Sequence, residues 1–238
     1  MLIKINPYQY LKYSMMERVK TVVYAALSKA LYGTLRSSLL FWRKLTGELK
    51  SLGLEINPYD WCVANKTINR KQWTTIWHVD NLNISHVMDA VLYHVISNIN
   101  KLLVQEAPLT IIWRAMQNYL GMNLDYSKPG KIVITMFDYI WVILNEVAKM
   151  FKMRRATPAT NHMFDTQGAA QQLCKKDANI FYPHTMQLMY LSKRSRLYIQ
   201  LPVSFLTTCV KKPESNDWKN LGKLCGYLRE NFNLPLTL

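Results

Sequence analysis

The chain has 238 residues, of which 50% are hydrophobic, so it can bury a core and is not an intrinsically disordered tail. At this length it forms one large domain or two small ones. It carries 30 Lys and Arg residues against 15 Asp and Glu residues, for a formal net charge of +15. Such an excess indicates a polyanionic partner, most simply nucleic acid, although a solvated basic surface without a partner stays open.

The four cysteines form no C-x-x-C pair and have no His at zinc-site spacing. We therefore expect reduced thiols in a cytoplasmic or nuclear protein. Residues Met1–Pro7 lack the apolar region of a signal peptide, and the apolar run Ile140–Leu144 is too short to span a bilayer. Neither secretion nor a membrane partner is predicted. Only eight glycines occur, without a Gly-rich phosphate loop, which disfavours a Rossmann or P-loop site.

The first predicted element is a helix over Lys29–Leu49, where leucines recur every three or four residues among Lys and Arg. This pattern fits either a core helix with a solvated rim or a helix along a nucleic-acid backbone. Turn residues at Asn57–Asp60 precede two predicted antiparallel strands, Trp61–Ala64 and Trp73–Trp77. A turn at Val79–Asn81 then leads to a third short strand.

The third strand ends near Ser85, which is also the predicted N-cap of a helix with one apolar face over residues 88–103. A second hairpin has predicted arms at Asn118–Tyr126 and Lys131–Met136. Between the arms, Pro129-Gly130 suits the two central positions of a type II turn.

Asp138 is the predicted cap of the helix that follows the second hairpin. A change to polar composition near residues 152–155 indicates a boundary between two domains. We expect a first domain over residues 1–153, a linker over 154–178 and a helical subdomain over 179–238. The three predicted helices of that subdomain lie near Pro183–Lys193, Ile199–Val210 and Asn216–Asn231.

The tetrapeptide His78-Val79-Asp80-Asn81 lies at the predicted turn between the second and third strands and is the candidate catalytic motif. Phosphoryl transfer to a primer 3′ hydroxyl uses two divalent ions about 4 Å apart. Hard cations such as Mg²⁺ need anionic oxygen ligands, so Asp80 is a candidate metal ligand. Asn81 offers a neutral carbonyl oxygen of similar shape without the charge. Asp and Asn are also ordinary turn residues, so the tetrapeptide alone leaves a plain turn open.

Six motifs along the chain occur in the order seen in one known family. They are residues 29–33 (KALYG) with Phe41-Trp42, residues 78–81 (HVDN), residues 119–122 (YLGM), residues 156–158 (ATP), residues 189–196 (MYLSKRSR) and Trp218–Leu236. They are similar to the segments KALYGLKQ…W, YVDD, FLG, TP, LLYLTxTRPDI and W…L…YLKGTxDLGL. On these motifs nearly the whole chain resembles the reverse transcriptase of copia-type long-terminal-repeat retrotransposons.

The resemblance implies an α+β fold belonging to a right-hand polymerase. Part of the fingers and an antiparallel palm sheet with packed helices would come first, followed by a helical thumb or connection subdomain. The implied function is that of an RNA-directed DNA polymerase fragment from a transposable-element polyprotein. Magnesium is the implied cofactor and an RNA or DNA primer–template the implied partner, with an intact retrotransposon polyprotein as a further candidate.

The resemblance also implies which residues contact nucleic acid. The segment around Tyr32-Gly33 would border the template and the incoming nucleotide, and residues 119–121 would lie on a hairpin that grips the primer. For Tyr119 and Leu120, plain strand packing is the alternative. Basic residues after position 180 would hold the duplex backbone. The expected nucleic-acid-binding residues are Lys29, Tyr32, Gly33, Arg36, Tyr119, Leu120, Gly121, Lys193, Arg194 and Arg196.

Several departures from the family pattern concern the chemistry. The second Asp of the family's metal-binding box is Asn81 here, and its Tyr is His78. The first metal-binding Asp of the family lies upstream of the KALYG motif and is expected to be absent. Because metal ions usually supply the dominant electrostatic stabilisation in this reaction, we predict a catalytically inactive chain. The alternatives are a non-catalytic basic nucleic-acid-binding remnant and a decayed reading frame without a protein function.

Overall fold

In a computed structural model the chain is a mixed α+β protein with antiparallel sheets, as expected. The structure describes residues 7–24, 30–31, 33–103, 109–147, 150–160, 162–164 and 170–238. The chain divides into two compact units, Met1–Thr110 and Ile111–Leu238. This division lies upstream of the boundary expected near residue 153. No helix in the described ranges is long and apolar enough to cross a membrane.

The first unit combines a four-stranded antiparallel sheet with two long helices and a separate small hairpin. The sheet has the strand order β3-β4-β5-β6, and β1 pairs only with β2. The described elements of the first unit are α1 (Pro7–Tyr10), a 3₁₀ turn (Leu11–Tyr13), β1 (Ser14–Glu17), β2 (Lys20–Val23), α2 (Leu35–Ser51), β3 (Glu55–Ile56), β4 (Val63–Ile68), β5 (Lys71–His78), β6 (Asn81–Ser85) and α3 (Asp89–Leu103).

The core of the first unit lies between its two long helices and one face of the sheet. Leu45 and Leu49 of α2 and Ile99 of α3 are fully buried. They meet the indoles of Trp73 and Trp77, which lie four residues apart on β5 and therefore point to the same face of the sheet. This burial of large apolar side chains is the main stabilising contribution in the unit.

Two helix starts in the first unit differ from the sequence prediction. Helix α2 begins at Leu35 rather than Lys29, because the Thr34 side chain accepts a hydrogen bond from the Ser37 backbone N–H and caps the helix there. Ser85 is not a helix cap, because it pairs with Thr74 as the last residue of β6. A cap at Thr34 therefore fixes the first helix start, and strand pairing prevents Ser85 from acting as the second cap.

The second unit combines another four-stranded antiparallel sheet with four helices. The sheet has the order β10-β9-β8-β7, so the chain's last strand pairs with β9 from the middle of the unit. Its described elements are β7 (Met116–Tyr119), β8 (Met122–Asp125), β9 (Val133–Thr135), α4 (Phe137–Glu146), α5 (Lys175–Ser192), a 3₁₀ turn (Leu197–Ile199), α6 (Gln200–Cys209), α7 (Ser215–Glu230) and β10 (Leu236–Thr237).

One hydrophobic core joins α4 to the three later helices. Ile140 and Ile143 of α4 lie in the same cluster as Phe181 of α5 and Leu224 of α7. Because α4 shares its core with helices that lie beyond residue 174, it belongs with them and not with the first unit. The predicted boundary at 153 followed composition, whereas the compact units follow the shared apolar core.

The predicted linker over residues 154–178 is partly packed structure. Met163 is buried in the second core, and the Gln171 carbonyl accepts a hydrogen bond from the Ser215 N–H at 2.9 Å. A Cβ atom at Gly226 of α7 would collide with the carbonyl oxygen of Met153, so this helix needs glycine where the preceding segment crosses it. Helix α5 also starts at Lys175, earlier than the predicted Pro183.

The turn at Pro129-Gly130 is confirmed. The Lys131 N–H bonds the Lys128 carbonyl at 3.1 Å, and Gly130 has a φ of 73°, as the third position of a type II turn requires. Asp138 is not the cap of α4, because the N-cap is Met136 and Asp138 lies in the first turn. A carboxylate there still interacts favourably with the helix dipole.

Candidate nucleic-acid interface

The HVDN tetrapeptide forms the tight turn between β5 and β6 in the first unit. His78 pairs with Asn81, which leaves Val79 and Asp80 as a two-residue loop. All four side chains are exposed. Val79 has a φ of 54°, a left-handed conformation that is costly for a β-branched residue. The sequence therefore builds a hairpin at the predicted position, with a strained backbone at its tip.

The turn between β5 and β6 offers one carboxylate, Asp80, to the expected magnesium ions. Within the described residues, no group of three His, Cys, Asp or Glu side chains lies close enough to hold a metal ion. A single exposed carboxylate, Asp80, beside the neutral amide of Asn81 supplies too little negative charge and too few oxygens for two divalent ions. We therefore derive no metal-dependent step from this tip.

The predicted template-binding segment is only partly described. Lys29 and Tyr32 lie outside the described residues. Gly33 is exposed with a φ of 85°, and it directly precedes the Thr34 cap of α2. Arg36 is exposed in the first turn of that helix. Gly33 thus supports the helix start, and the Arg36 guanidinium is open to a ligand.

Residues 119–122 form a tight hairpin turn between β7 and β8, in the second unit. Tyr119 pairs with Met122, and both loop residues adopt left-handed backbones, with a φ of 51° at Leu120 and 73° at Gly121. The predicted single arm over residues 118–126 is therefore two strands, because this turn reverses the chain within it. The Leu120 carbonyl accepts a hydrogen bond from the Tyr190 hydroxyl at 2.7 Å.

Tyr190 brings two of the predicted nucleic-acid-binding segments together. The centroid of its ring lies 5.4 Å from that of the Tyr139 ring. The guanidinium carbon of Arg194 lies 3.6 Å from the centroid of the Tyr190 ring. Arg194 also donates to the Tyr190 carbonyl at 3.4 Å. The turn at Leu120 and the basic end of α5 thus form one cluster, which we call the Tyr190 cluster: Leu120, Tyr139, Tyr190 and Arg194.

The three basic residues predicted at the end of α5 have different surroundings. Lys193 is exposed, Arg194 is half-buried against Tyr190, and Arg196 is only 1% exposed. The Arg196 guanidinium donates to the Phe232 carbonyl and, at 2.8 Å, to the Tyr198 hydroxyl. In this conformation Arg196 cannot contact a duplex backbone as predicted, because its guanidinium is buried and hydrogen-bonded to acceptors inside the protein.

The basic side chains of the described chain are largely free of acidic partners. Among the described Lys and Arg residues, Arg154 alone forms an ion pair with a carboxylate, Glu230 at 3.3 Å. Residues 111–238 carry 17 Lys and Arg against 8 Asp and Glu. Exposed cations without local counter-charges leave a positive field that attracts polyanions.

Three of the four cysteines lack the surroundings of an activated nucleophile. All four thiols are free, and burial raises the pKa of Cys225 to about 12. Burial also raises the pKa of Cys62 and Cys209. Since the thiolate is the reactive form, these shifts disfavour thiol chemistry at the three sites.

Two residues outside the predicted set are important for the second unit's surface. Tyr190 lies within the MYLS motif, yet only the folded structure places its hydroxyl against a turn that is 70 residues away in sequence. Trp141 breaks the apolar pattern of α4, since it is 61% exposed while its neighbour Ile140 is fully buried. The available signal in the sequence was a Trp that lies off the apolar spacing of Ile140, Ile143 and Leu144.

Comparison of the chain with protein-family models, with curated proteins and with solved structures gives no match in any of the three.

Proposed function

We propose that this chain is a non-catalytic nucleic-acid-binding protein related to the reverse transcriptase of copia-type retrotransposons. It would bind primer–template nucleic acid mainly through phosphate contacts, without extending the primer. The family part of the proposal depends on the six motifs in order. The binding part depends on charge and on the arrangement of the second unit.

The observation that carries the binding proposal is the uncompensated positive charge. The net charge is +15, and ion pairing within the described residues removes little of it. Phosphate backbones are recognised by Lys and Arg without a particular base sequence, so such a surface needs no further chemistry to bind. An excess confined to long, ion-paired side chains would not support the same proposal.

The Tyr190 cluster gives this binding surface a fixed element. The hydrogen bond to Leu120 and the Tyr139 ring hold Tyr190 in place, and its ring holds the Arg194 side chain. A guanidinium that is already ordered loses less conformational entropy when it contacts a phosphate. Arg194, with exposed Lys193 beside it, is therefore the favoured backbone contact in the second unit.

The proposal of inactivity depends on the HVDN turn. Polymerase chemistry needs carboxylates at both metal positions, and Asn81 replaces one of them. Among the described residues, Asp80 belongs to no group of three or more His, Cys, Asp or Glu side chains that could hold a metal ion. Loss of the metal-bound arrangement removes the main source of transition-state stabilisation in phosphoryl transfer.

The test combines a binding assay with primer extension. Fluorescence anisotropy with a labelled primer–template should show an affinity that falls steeply with salt, with a slope of log K on log salt of about −0.9 per phosphate contact. Arg194→Gln should weaken binding uniformly across sequences and reduce that slope by about one contact. A slope near zero in the unmodified chain would exclude the binding proposal.

Lys131→Gln is the matched control for Arg194→Gln, because it also removes one positive charge, but from an exposed residue outside the Tyr190 cluster. With magnesium and deoxynucleotides, neither the unmodified chain nor Asn81→Asp should extend the primer. Product from the unmodified chain would overturn the proposal of inactivity. Product from Asn81→Asp alone would show that one amide silences an otherwise assembled site.

A further inference from the structure

An open cleft of about 460 Å³ lies in the second unit, and the turn residues Leu120 and Gly121 do not line it. Its volume is within the range of small-ligand sites in proteins. The cleft lies between α4, the segment after it and the end of α7. Its lining residues are Trp141, Leu144, Asn145, Lys152, Arg229 and Phe232.

The cleft has an aromatic wall with an exposed indole. Trp141 is 61% exposed although it follows a fully buried residue on α4. Phe232 is held in place by stacking on Phe137, with ring centroids 5.6 Å apart and an interplanar angle of 27°. A large apolar surface left open beside a fixed aromatic ring is suited to stacking of a planar ligand.

The cleft also carries two cations without acidic partners. Neither Lys152 nor Arg229 has a carboxylate within ion-pair distance among the residues the structure describes. Glu230, which follows Arg229 in the sequence, is already paired with Arg154 at 3.3 Å. The polar amide of Asn145 completes the lining with a donor and an acceptor.

An aromatic surface next to two cations that have no acidic partner in the described part of the chain matches a ligand that has a π-face and a negative charge. A nucleotide has both, in its base and its phosphate. In a duplex the base faces are covered by neighbouring base pairs, whereas an unpaired base presents its face to an aromatic side chain. The occupant that fits the cleft is therefore an unpaired nucleotide.

We propose that this cleft binds one base–phosphate unit of single-stranded nucleic acid, with the base against Trp141 and the phosphate at Lys152 and Arg229. This inference rests on the proposed nucleic-acid-binding function and specifies which part of the ligand this face recognises. It applies to the unpaired overhang of a primer–template and not to its duplex.

The test compares two labelled oligonucleotides of equal length and charge, one of thymidines and one of abasic residues. The full-length chain should bind the thymidine strand about 5- to 100-fold more tightly, which is the effect of one stacked base. Trp141→Ala should abolish that preference and leave the affinity for the abasic strand unchanged. Tyr182→Ala is the matched control, because Tyr182 is a 53% exposed aromatic on α5 that does not line the cleft.

Lys152→Gln and Arg229→Gln should each weaken binding of both strands and reduce the salt slope by about 0.7, the value for one phosphate contact on a single strand. Lys131→Gln is their control, because Lys131 is exposed, does not line the cleft and is not among the expected nucleic-acid-binding residues. Thermal unfolding followed by circular dichroism checks that each variant is folded.

The outcomes separate this inference from the proposed function. If the unmodified chain binds both strands alike and Trp141→Ala changes nothing, the cleft assignment is overturned while salt-dependent binding stands. If the unmodified chain binds neither these strands nor a primer–template, both proposals are overturned. A thymidine preference that Trp141→Ala removes and Tyr182→Ala retains supports the cleft.

Discussion

Each unit carries one two-residue hairpin turn within a predicted functional motif, and the two turns have different surroundings. The turn at Val79-Asp80 is exposed, and no described cluster of metal-binding side chains forms around it. The turn at Leu120-Gly121 is hydrogen-bonded to Tyr190 and shares a cluster with Arg194. A motif at a turn thus predicts the turn itself, whereas neighbours from distant sequence determine what the turn can bind.

The largest expected effect comes from breaking the link at the second turn. Tyr190→Ala removes the hydrogen bond to Leu120 and the ring contacts with Tyr139 and Arg194. We expect the free energy of unfolding to fall by about 2–3 kcal/mol, as measured by urea denaturation. Tyr190→Phe keeps the ring and should cost only about 1 kcal/mol.

The corresponding truncation at the first turn is the control. His78→Ala removes an exposed side chain and should change stability by less than about 0.5 kcal/mol. Equal losses for His78→Ala and Tyr190→Ala would contradict the difference between the two turns.

The next effect concerns the backbone of the second turn. Gly121 has a φ of 73°, and a Cβ there would meet no atom within 4 Å. Gly121→Ala should therefore cost about 1–2 kcal/mol from conformation alone. Gly47→Ala in the middle of α2 also meets open space but has a helical backbone, so it should gain about 0.5–1 kcal/mol. A neutral Gly121→Ala variant would show that the turn relaxes.

The first turn should respond in the opposite direction. Val79 has a φ of 54°, and strain of this kind costs about 1–3 kcal/mol. Val79→Gly relieves it but adds about 0.5–1 kcal/mol of unfolded-state entropy, so a net gain near 1 kcal/mol is expected. Val142 is equally exposed at 46% but lies in helix α4, and Val142→Gly should destabilise the protein. Destabilisation by both substitutions would exclude strain at Val79.

The smallest effect is a pH dependence at the end of β8. Hydrogen bonds from Ser127 lower the pKa of Asp125, whose carboxylate accepts from the Ser127 N–H at 2.8 Å. Because the folded-state pKa is depressed, the stabilisation is complete above the ordinary Asp value and is lost as the pH falls through the lowered pKa. Asp125→Asn should flatten the acid limb of a stability–pH profile, measured by thermal unfolding between pH 2 and 5, whereas Asp80→Asn in an exposed turn serves as the control.

Local patterns predicted many elements because their signals lie within a few residues. Pro129-Gly130 specified its turn, and apolar spacing located α6 and α7 to within a residue or two. Helix starts were less accurate, since the cap at Thr34 competed with a longer apolar pattern. The predicted arm over residues 118–126 did not include the turn at Leu120-Gly121, which divides it into two strands. Gly121 was the signal for a turn within that arm.

The surroundings of the expected site residues could not be predicted from the sequence, because exposure depends on packing. Arg194 and Arg196 look alike in the sequence, yet one lies on Tyr190 and the other is buried with its charge on internal carbonyl and hydroxyl groups. Lys152 and Arg229 were not singled out as ligands, since only the fold brings them to the same cleft as Trp141.

By itself, the sequence determined the mixed α+β content, the excess positive charge and the positions of most turns and helices. These depend on side-chain periodicity, on composition and on the local backbone preferences of Pro and Gly. The tertiary structure alone decided that α4 shares a core with α5 and α7, that Tyr190 reaches Leu120 and that Arg196 is buried. Such contacts join residues tens of positions apart, and their free energy comes from packing and desolvation that no local pattern encodes.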